Sequence, residues 1–196
     1  MRVILVRHGD TTWTGTGQHT GHTDLPLTDK GRSEALSLRR SLQPLDIQIV
    51  LTSPLQRARQ TCDLSGLGSN ARVDADLREW DYGAFEGETT PEICAHHPGW
   101  TLYKDGCVGG ESVEKVTARA ERVLLALRQL EGVVALFSHG QFLRVLALRW
   151  MGLGAGHGEH LALGTASISI LGFERHNGEV PALCLWNAPA GTVLGP

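Results

Sequence analysis

Three separate segments of the chain place arginine or histidine directly after a short apolar run. Arg7 and His8 end "VILV", Arg57 stands in "TSPLQRARQT" after "IQIVL", and His139 stands in "VVALFSHGQF". A strand end reaching solvent would account for any one of these interruptions. It does not account for three of them carrying the same residue types. In open α/β sheets, ligands bind beyond the carboxyl ends of the strands, so these segments deliver Arg7, His8, Arg57 and His139 to one edge. Two of the segments also open helices, whose N-termini favour anions through free N–H groups and the macrodipole. Guanidinium and imidazole groups converging there describe a pocket for a dianionic oxyanion such as phosphate.

The elements that must position these residues follow from periodicity and punctuation. "VILV", "IQIVL" and "VVALF" are continuous, largely β-branched and short, which predicts buried strands. "TDKGRSEALSLRRSL" predicts a helix with Thr28 or Asp29 near its N-cap and Ala35, Leu38 and Leu42 on one face. "SPLQRARQTCDLSG" predicts a second, with Pro54 in a first-turn position and Gly66 as its stop. "SVEKVTARAERVLLALRQLEG" holds helical spacing through Val113, Val116, Ala120, Val123, Leu127 and Leu130, and "GQFLRVLALRWMG" is a further helix directly after the third strand. "SISILGF" and "ALCLW" read as closing strands. Residues 9–28 are too polar and broken for regular structure, and residues 71–110 mix a short strand, a helix near "TPEICAHH" and the loop "YKDGCVGG". With no repeat, low-complexity tract or linker, the succession argues for a single α/β domain, residues 1–196, with a mostly parallel central sheet.

Composition narrows the function classes. The chain has 196 residues, of which 41% are hydrophobic and 20% charged, as in ordinary globular proteins. A net charge of −3 gives no footprint for nucleic acid or an anionic membrane. Cys62, Cys94, Cys107 and Cys184 are scattered with no C-x-x-C pair, which favours reduced thiols over a disulfide scaffold or a zinc site. His96–His97 and His157–His160 lack matching ligands and read as surface histidines. The N-terminus carries no signal-peptide pattern and no apolar run approaches a membrane span. A cytoplasmic protein is expected.

"LVRHG", "DLPLTDKG", "SPLQRARQT", "LREWDYGAFEG" and "SHG" follow one another in the order and spacing of the histidine phosphatase superfamily, and the chain resembles its phosphoglycerate mutase-like branch over nearly its whole length. Within that branch it is most similar to sugar-bisphosphatase and broad-specificity acid-phosphatase members. The resemblance implies a three-layer α/β/α sandwich and a phosphoryl-transfer enzyme in which His8 is the nucleophile. Arg7 and Arg57 would clamp the phosphoryl oxygens, and His139 would add a donor. Glu79 in "LREWDYG" would be the general acid and then the base, with Trp80 and Tyr82 giving a partly apolar setting. Asp81 and Glu86 are the rival carboxylates, otherwise solvated surface. No metal or cofactor is implied, because the arginines and histidines supply the positive charge and no carboxylate cluster suits magnesium.

One departure falls in "TTWTGTGQHTG", where Thr14 takes the place of the asparagine that often contacts phosphate in the family; a hydroxyl donates once and with less reach. Thr20 and Gly21 match the loop position that offers a hydroxyl and an N–H. Gly140 lends its N–H beside His139. Gln18 and His19 face the substrate or are ordinary polar loop residues. Trp13 and Trp100 either wall the pocket or pack, and Lys104, beside Tyr103, either meets a second anionic group or is solvated. Residues 84–111 are expected to form a lid or specificity insertion. The short span between "FEG" and "GGES" leaves water access, which favours hydrolysis over mutase chemistry. The expected partner is a small phosphorylated metabolite, not nucleic acid or a membrane. A phosphoglycerate mutase, a dual mutase–phosphatase and a catalytically silent phospho-ligand module are the alternatives, and an edge strand such as "ALCLW" leaves a homodimer open.

Overall fold

The fold, taken from a computed structural model, is described for residues 1–174, 176 and 178–193, so the last residues of the expected 1–196 domain lie outside the described ones. A six-stranded sheet runs in the order β3-β2-β4-β1-β5-β6. Its strands are β1 (Arg2–Arg7), β2 (Ile49–Thr52), β3 (Ala71–Val73), β4 (Val133–Ser138), β5 (Ile168–Phe173) and β6 (Pro181–Ala188). The first four are mutually parallel where they pair, and β5 and β6 are added antiparallel at one edge.

Side chains alternate across the sheet, and the two faces bury different cores. Val3 and Leu5 of β1 and Val134 and Leu136 of β4 face one cluster, while Ile4, Val6, Ala135 and Phe137 face the other. Helices α2 (Asp29–Leu42) and α3 (Gln56–Leu64) cover the second face with Leu38, Leu42 and Cys62. Helices α6 (Val113–Leu127) and α7 (Gly140–Trp150) cover the first with Val116, Val123, Leu124, Leu143 and Leu146. Thr28 is the cap of α2, accepting from the Gly31 N–H at 3.1 Å. This is a single-domain, three-layer α/β fold with a mostly parallel sheet.

The loop regions hold more structure than their composition predicts. The polar segment after β1 contains a short helix, α1 (Thr12–Thr16), closed by a reciprocal capping box between Thr11 and Thr14. Residues 71–110 contain α4 (Thr90–His96), the helix expected at "TPEICAHH", and a single further turn, α5 (Leu102–Asp105), that runs into the expected loop "YKDGCVGG". Register explains the gathering at the sheet edge: Arg7 pairs with Ser138 and Thr52 with Phe137, so His8, Ser53 and His139 each begin one step beyond a paired strand end.

Candidate active site

His8 leaves β1 almost fully buried, at 5% exposure. Its Nδ1 lies 2.8 Å from the Gly9 carbonyl oxygen. A carbonyl only accepts, so Nδ1 carries the proton and the neutral ring keeps its lone pair on Nε2. That nitrogen has no protein partner among the described residues. Burial lowers the imidazole pKa well below its ordinary value, and the charges of Arg57 and Arg7 lower it further against the opposing Gly9 bond. The resting ring is therefore neutral, with Nε2 as its basic atom.

The turn carrying His8 is seated from below. The Gly9 N–H donates to Thr61 Oγ1 at 3.0 Å. Gly9 and Gly31 meet backbone to backbone, and a Cβ on either would overlap the other segment: Gly31 oxygen in one case, Asp10 oxygen in the other. "RHG" and "DKG" are thus two halves of one contact.

His8 opens into a cavity of about 180 Å³ shared with Arg7, Glu79 and Gly140. Arg7 Nη1 donates to the Leu163 carbonyl, and its Nε is buried with no partner. Burial lowers the Arg7 pKa, with the Glu79 charge acting the other way. Gly140 allows this placement, since a Cβ there would lie 3.3 Å from Arg7 Cζ. Glu79, 6% exposed, sits over the first turn of α7. Its Oε1 accepts from the N–H groups of Trp80 and Phe142, each at 2.9 Å, and its Oε2 accepts from Gln141 N–H at 3.0 Å. Tyr82 lines the cavity, whereas the Trp80 indole turns away to donate to Glu111 O. The setting of Glu79 is thus more strongly hydrogen-bonded than its aromatic neighbours imply.

Arg57 and His139 stand behind this cavity, not in its wall. Arg57 is fully buried and donates to Thr23 O (2.9 Å), Thr20 O (3.0 Å), Gly21 O (2.9 Å) and His139 Nδ1 (3.1 Å), which leaves one N–H uncommitted. Because Arg57 can only donate, His139 Nδ1 must accept, and the neutral ring carries its proton on Nε2, 2.8 Å from Ser53 Oγ. Burial lowers the His139 pKa well below its ordinary value, with Arg57 the next cause. The two rings meet edge to face, 5.1 Å between centroids.

The first loop departs from expectation at two residues. Thr14 lines the cavity, but its one O–H is shared between Thr11 O (2.7 Å) and Asp10 Oδ1 (2.9 Å) as alternative acceptors, and its oxygen accepts from Thr11 N–H (2.8 Å), so capping α1 consumes it. The Gly21 N–H is taken by the Glu86 carboxylate at 2.9 Å, and Glu86 also accepts from Thr23 N–H. Glu86, a rival acid on sequence grounds, is instead the anchor of residues 21–23. Thr20, Gln18 and His19 do line the cavity, with the Gln18 amide donating to Gly87 O and His19 stacked on Tyr82 at 4.6 Å. Trp13 lines it as well, whereas Trp100 walls a neighbouring cavity and Lys104 a separate one among residues 85–108. His96, His97, His157 and His160 are exposed.

Three positions at or beside this cavity escape a reading of motifs alone. Ser53 partners His139. Arg119 donates to the carbonyls of Asp76, Arg78 and Glu79 and pairs with Glu111 at 2.6 Å, fixing the backbone that carries Glu79. Arg144 lines the cavity from α7. The signal for both arginines is a cation inside an apolar helical stripe: Arg119 falls between Val116 and Val123, and Arg144 within "FLRVLAL". Among the described residues, no group of three or more His, Cys, Asp or Glu is placed to hold a metal ion, and no helix is long and apolar enough to cross a membrane.

Residues 3–187 match the model of the histidine phosphatase superfamily, branch 1. An acid phosphatase of Mycobacterium tuberculosis is 41% identical over 198 residues, covering 99% of this chain and 97% of that protein. A sedoheptulose 1,7-bisphosphatase of Saccharomyces cerevisiae is 38% identical, covering 78% of this chain and 68% of that protein. Among solved structures, a mycobacterial glucosyl-3-phosphoglycerate phosphatase complexed with VO3 superimposes with a TM-score of 0.84 at 29% identity, covering 95% of this chain and 98% of that one.

Proposed function

The chain belongs to the histidine phosphatase superfamily and is a phosphatase of that type, and from that premise we propose that it hydrolyses small phosphomonoesters through a phosphohistidine on His8. The observation that carries the reading is the fixed tautomer of His8, whose unpartnered Nε2 shares a cavity with a cation, a carboxylic residue and a helix N-terminus.

In the first step His8 Nε2 attacks phosphorus and the P–O bond to the leaving group breaks. Glu79, entering as the acid, gives its proton to the departing oxygen. Its Oε2 accepts one backbone bond against two at Oε1, which leaves Oε2 room for that proton. Arg7 and the Gly140 N–H meet the equatorial oxygens, and the buried charge of Arg57 acts on the same centre while its donors hold residues 20–23. In the N–P intermediate Nδ1 keeps its proton and its hydrogen bond to the Gly9 carbonyl. In the second step water attacks phosphorus, Glu79 as carboxylate accepts the water proton, and phosphate leaves with neutral His8 restored. Residues 84–111, which carry α4 and α5 beside the cavity, serve as the lid and specificity segment.

Phosphate release from a panel of phosphorylated metabolites, with a chelator present and His8→Ala beside the wild type, tests this function. Release that falls at least about 10³-fold in the variant, with an acid-labile phosphoenzyme trapped in the wild type, is the expected result. Release unaffected by His8→Ala overturns the mechanism. Tight phosphate binding without release would convert the reading to a binding module, and isomerisation without release to a mutase.

A further inference from the structure

We propose that Asn187 is a positioning residue for the reaction: through the peptide between Leu163 and Gly164 it aims the Arg7 guanidinium at the phosphoryl oxygens. This rests on the phosphatase reading above. That peptide is held at both ends. Its carbonyl oxygen, on Leu163, accepts from Arg7 Nη1, and its N–H, on Gly164, donates to Asn187 Oδ1 at 2.8 Å. A peptide unit is planar, so a side chain that fixes its N–H also fixes the direction of its C=O. Among the described residues, the Leu163 carbonyl is the only hydrogen-bond partner of the Arg7 side chain, and Arg7 Nε is buried without one. Where the rest of the guanidinium fork points is therefore set by this one oxygen. Asn187 does not line the catalytic cavity, so it acts through Arg7.

The strand that supplies Asn187 leaves regular geometry to do so. Between β5 and β6 the pairing steps from Ile168 opposite Ala188 to Ile170 opposite Leu185, so Trp186 and Asn187 both stand against Ser169. This is a β-bulge, a device that re-aims a side chain. In an unbroken strand two consecutive side chains point to opposite faces. Here both reach one segment: the Trp186 indole donates to Ala162 O at 2.6 Å and Asn187 takes the Gly164 N–H, so the two bonds straddle Leu163. Asn187 adopts φ +58° within β6, a left-handed conformation that asparagine tolerates better than most residues. Its own N–H is tied to Ser169 Oγ at 3.0 Å. The far end of the segment is tied to the chain at Arg7 and His8. Ala166, also left-handed at φ +46°, donates its N–H to His8 O at 3.0 Å, and Ser167 O accepts the Arg7 N–H at 3.2 Å. Backbone outliers of this kind persist where the surrounding structure over-determines them, and they cluster at functional sites. Residues 162–167 thus form a clasp around Arg7 and His8, closed from β6 by Asn187.

The test removes the acceptor without disturbing the bulge. Asn187→Gly accepts the left-handed backbone and loses Oδ1, whereas Asn187→Asp accepts it and keeps an oxygen in the same place. Each is made in the wild type and in Arg7→Met, which keeps an apolar stem and removes the fork, to complete a double-mutant cycle. The readouts are kcat/KM for 4-nitrophenyl phosphate and calorimetric binding of inorganic phosphate. Asn187→Gly should lower both about 5-fold or more when Arg7 is present, and by less than about twofold in the Arg7→Met background. Asn187→Asp should recover most of the loss. A merely structural role would lower both readouts equally in the two backgrounds; that result, or no fall when Arg7 is present, overturns the proposal. Phosphate binding needs no turnover, so it separates the two claims. Coupling of residues 187 and 7 in phosphate binding, in a protein that releases phosphate from no ester, keeps the positioning role and removes the phosphatase reading. Turnover without that coupling does the reverse.

Discussion

Glu79 accepts three backbone N–H bonds on two oxygens, two of them at one atom, and an amide cannot copy that arrangement. In Glu79→Gln the NH2 group must face a donor wherever it is turned, leaving a buried N–H without an acceptor. The expected cost is about 1–3 kcal/mol, read as a drop in the urea midpoint. The chemical loss is separate: alkyl phosphates, which need a proton on the leaving oxygen, should slow far more than aryl phosphates. Equal slowing of both classes would remove Glu79 from the acid role. The cysteines at this scale are quiet. Burial pushes the Cys62 and Cys107 thiols up to about 12, so neither supplies a thiolate near neutral pH.

At the scale of elements, α6 shows how a helix can serve chemistry it does not touch. Arg119 faces the core, its guanidinium 4.3 Å from the Phe142 ring centroid, and holds the carbonyls of residues 76, 78 and 79. Arg119→Met would keep the apolar stem and strand Glu111 together with those carbonyls. A loss of about 3 kcal/mol is expected for one partner of a buried pair, measured by urea denaturation, with a fall in kcat as residue 79 loosens. An unchanged midpoint would show that water replaces the bonds. These elements were legible in unequal measure. The long periodic helices and the apolar strands followed from spacing, and the ordering of Arg7, His8, Glu79, Arg57 and His139 along the chain marked the family. Helix α1 was hidden because its stability comes from the Thr11–Thr14 cap, with no apolar face to give it a period. The antiparallel addition of β5 was hidden because a run buried on both faces looks the same in either direction. The partners of Gly21, Thr14 and Arg57 depend on contacts across tens of residues that no local pattern encodes.

The whole molecule carries the cost of keeping two imidazoles uncharged in its interior. His8 and His139 both have pKa values held well below the ordinary value, chiefly by burial. In the unfolded chain they take up protons near pH 6.5. Below that pH the unfolded state binds more protons than the folded one, so stability falls as the pH drops through 6.5 and is complete above it. Denaturant midpoints at pH 7.5 and 5 should show this decline, and His139→Gln should flatten it; a midpoint that holds level between these values would mean that the rings charge in place. Asp76 adds a lower window. The Arg122 hydrogen bond holds its carboxyl below the usual range, so its contribution is present above that range and lost as the pH falls through it.

The contact between Gly9 and Gly31 alters how natural variation in this chain should be interpreted. Residue 31 does not line the cavity, and a census that sorts positions by distance from His8 would file it under folding. Yet the first turn of α2 is the floor beneath His8, and any side chain at 31 must displace the turn that follows it. A relative that keeps "RHG", the glutamate segment and "SHG" but carries a side chain at this position is therefore expected to hold its first histidine differently, a change announced by a residue outside the cavity.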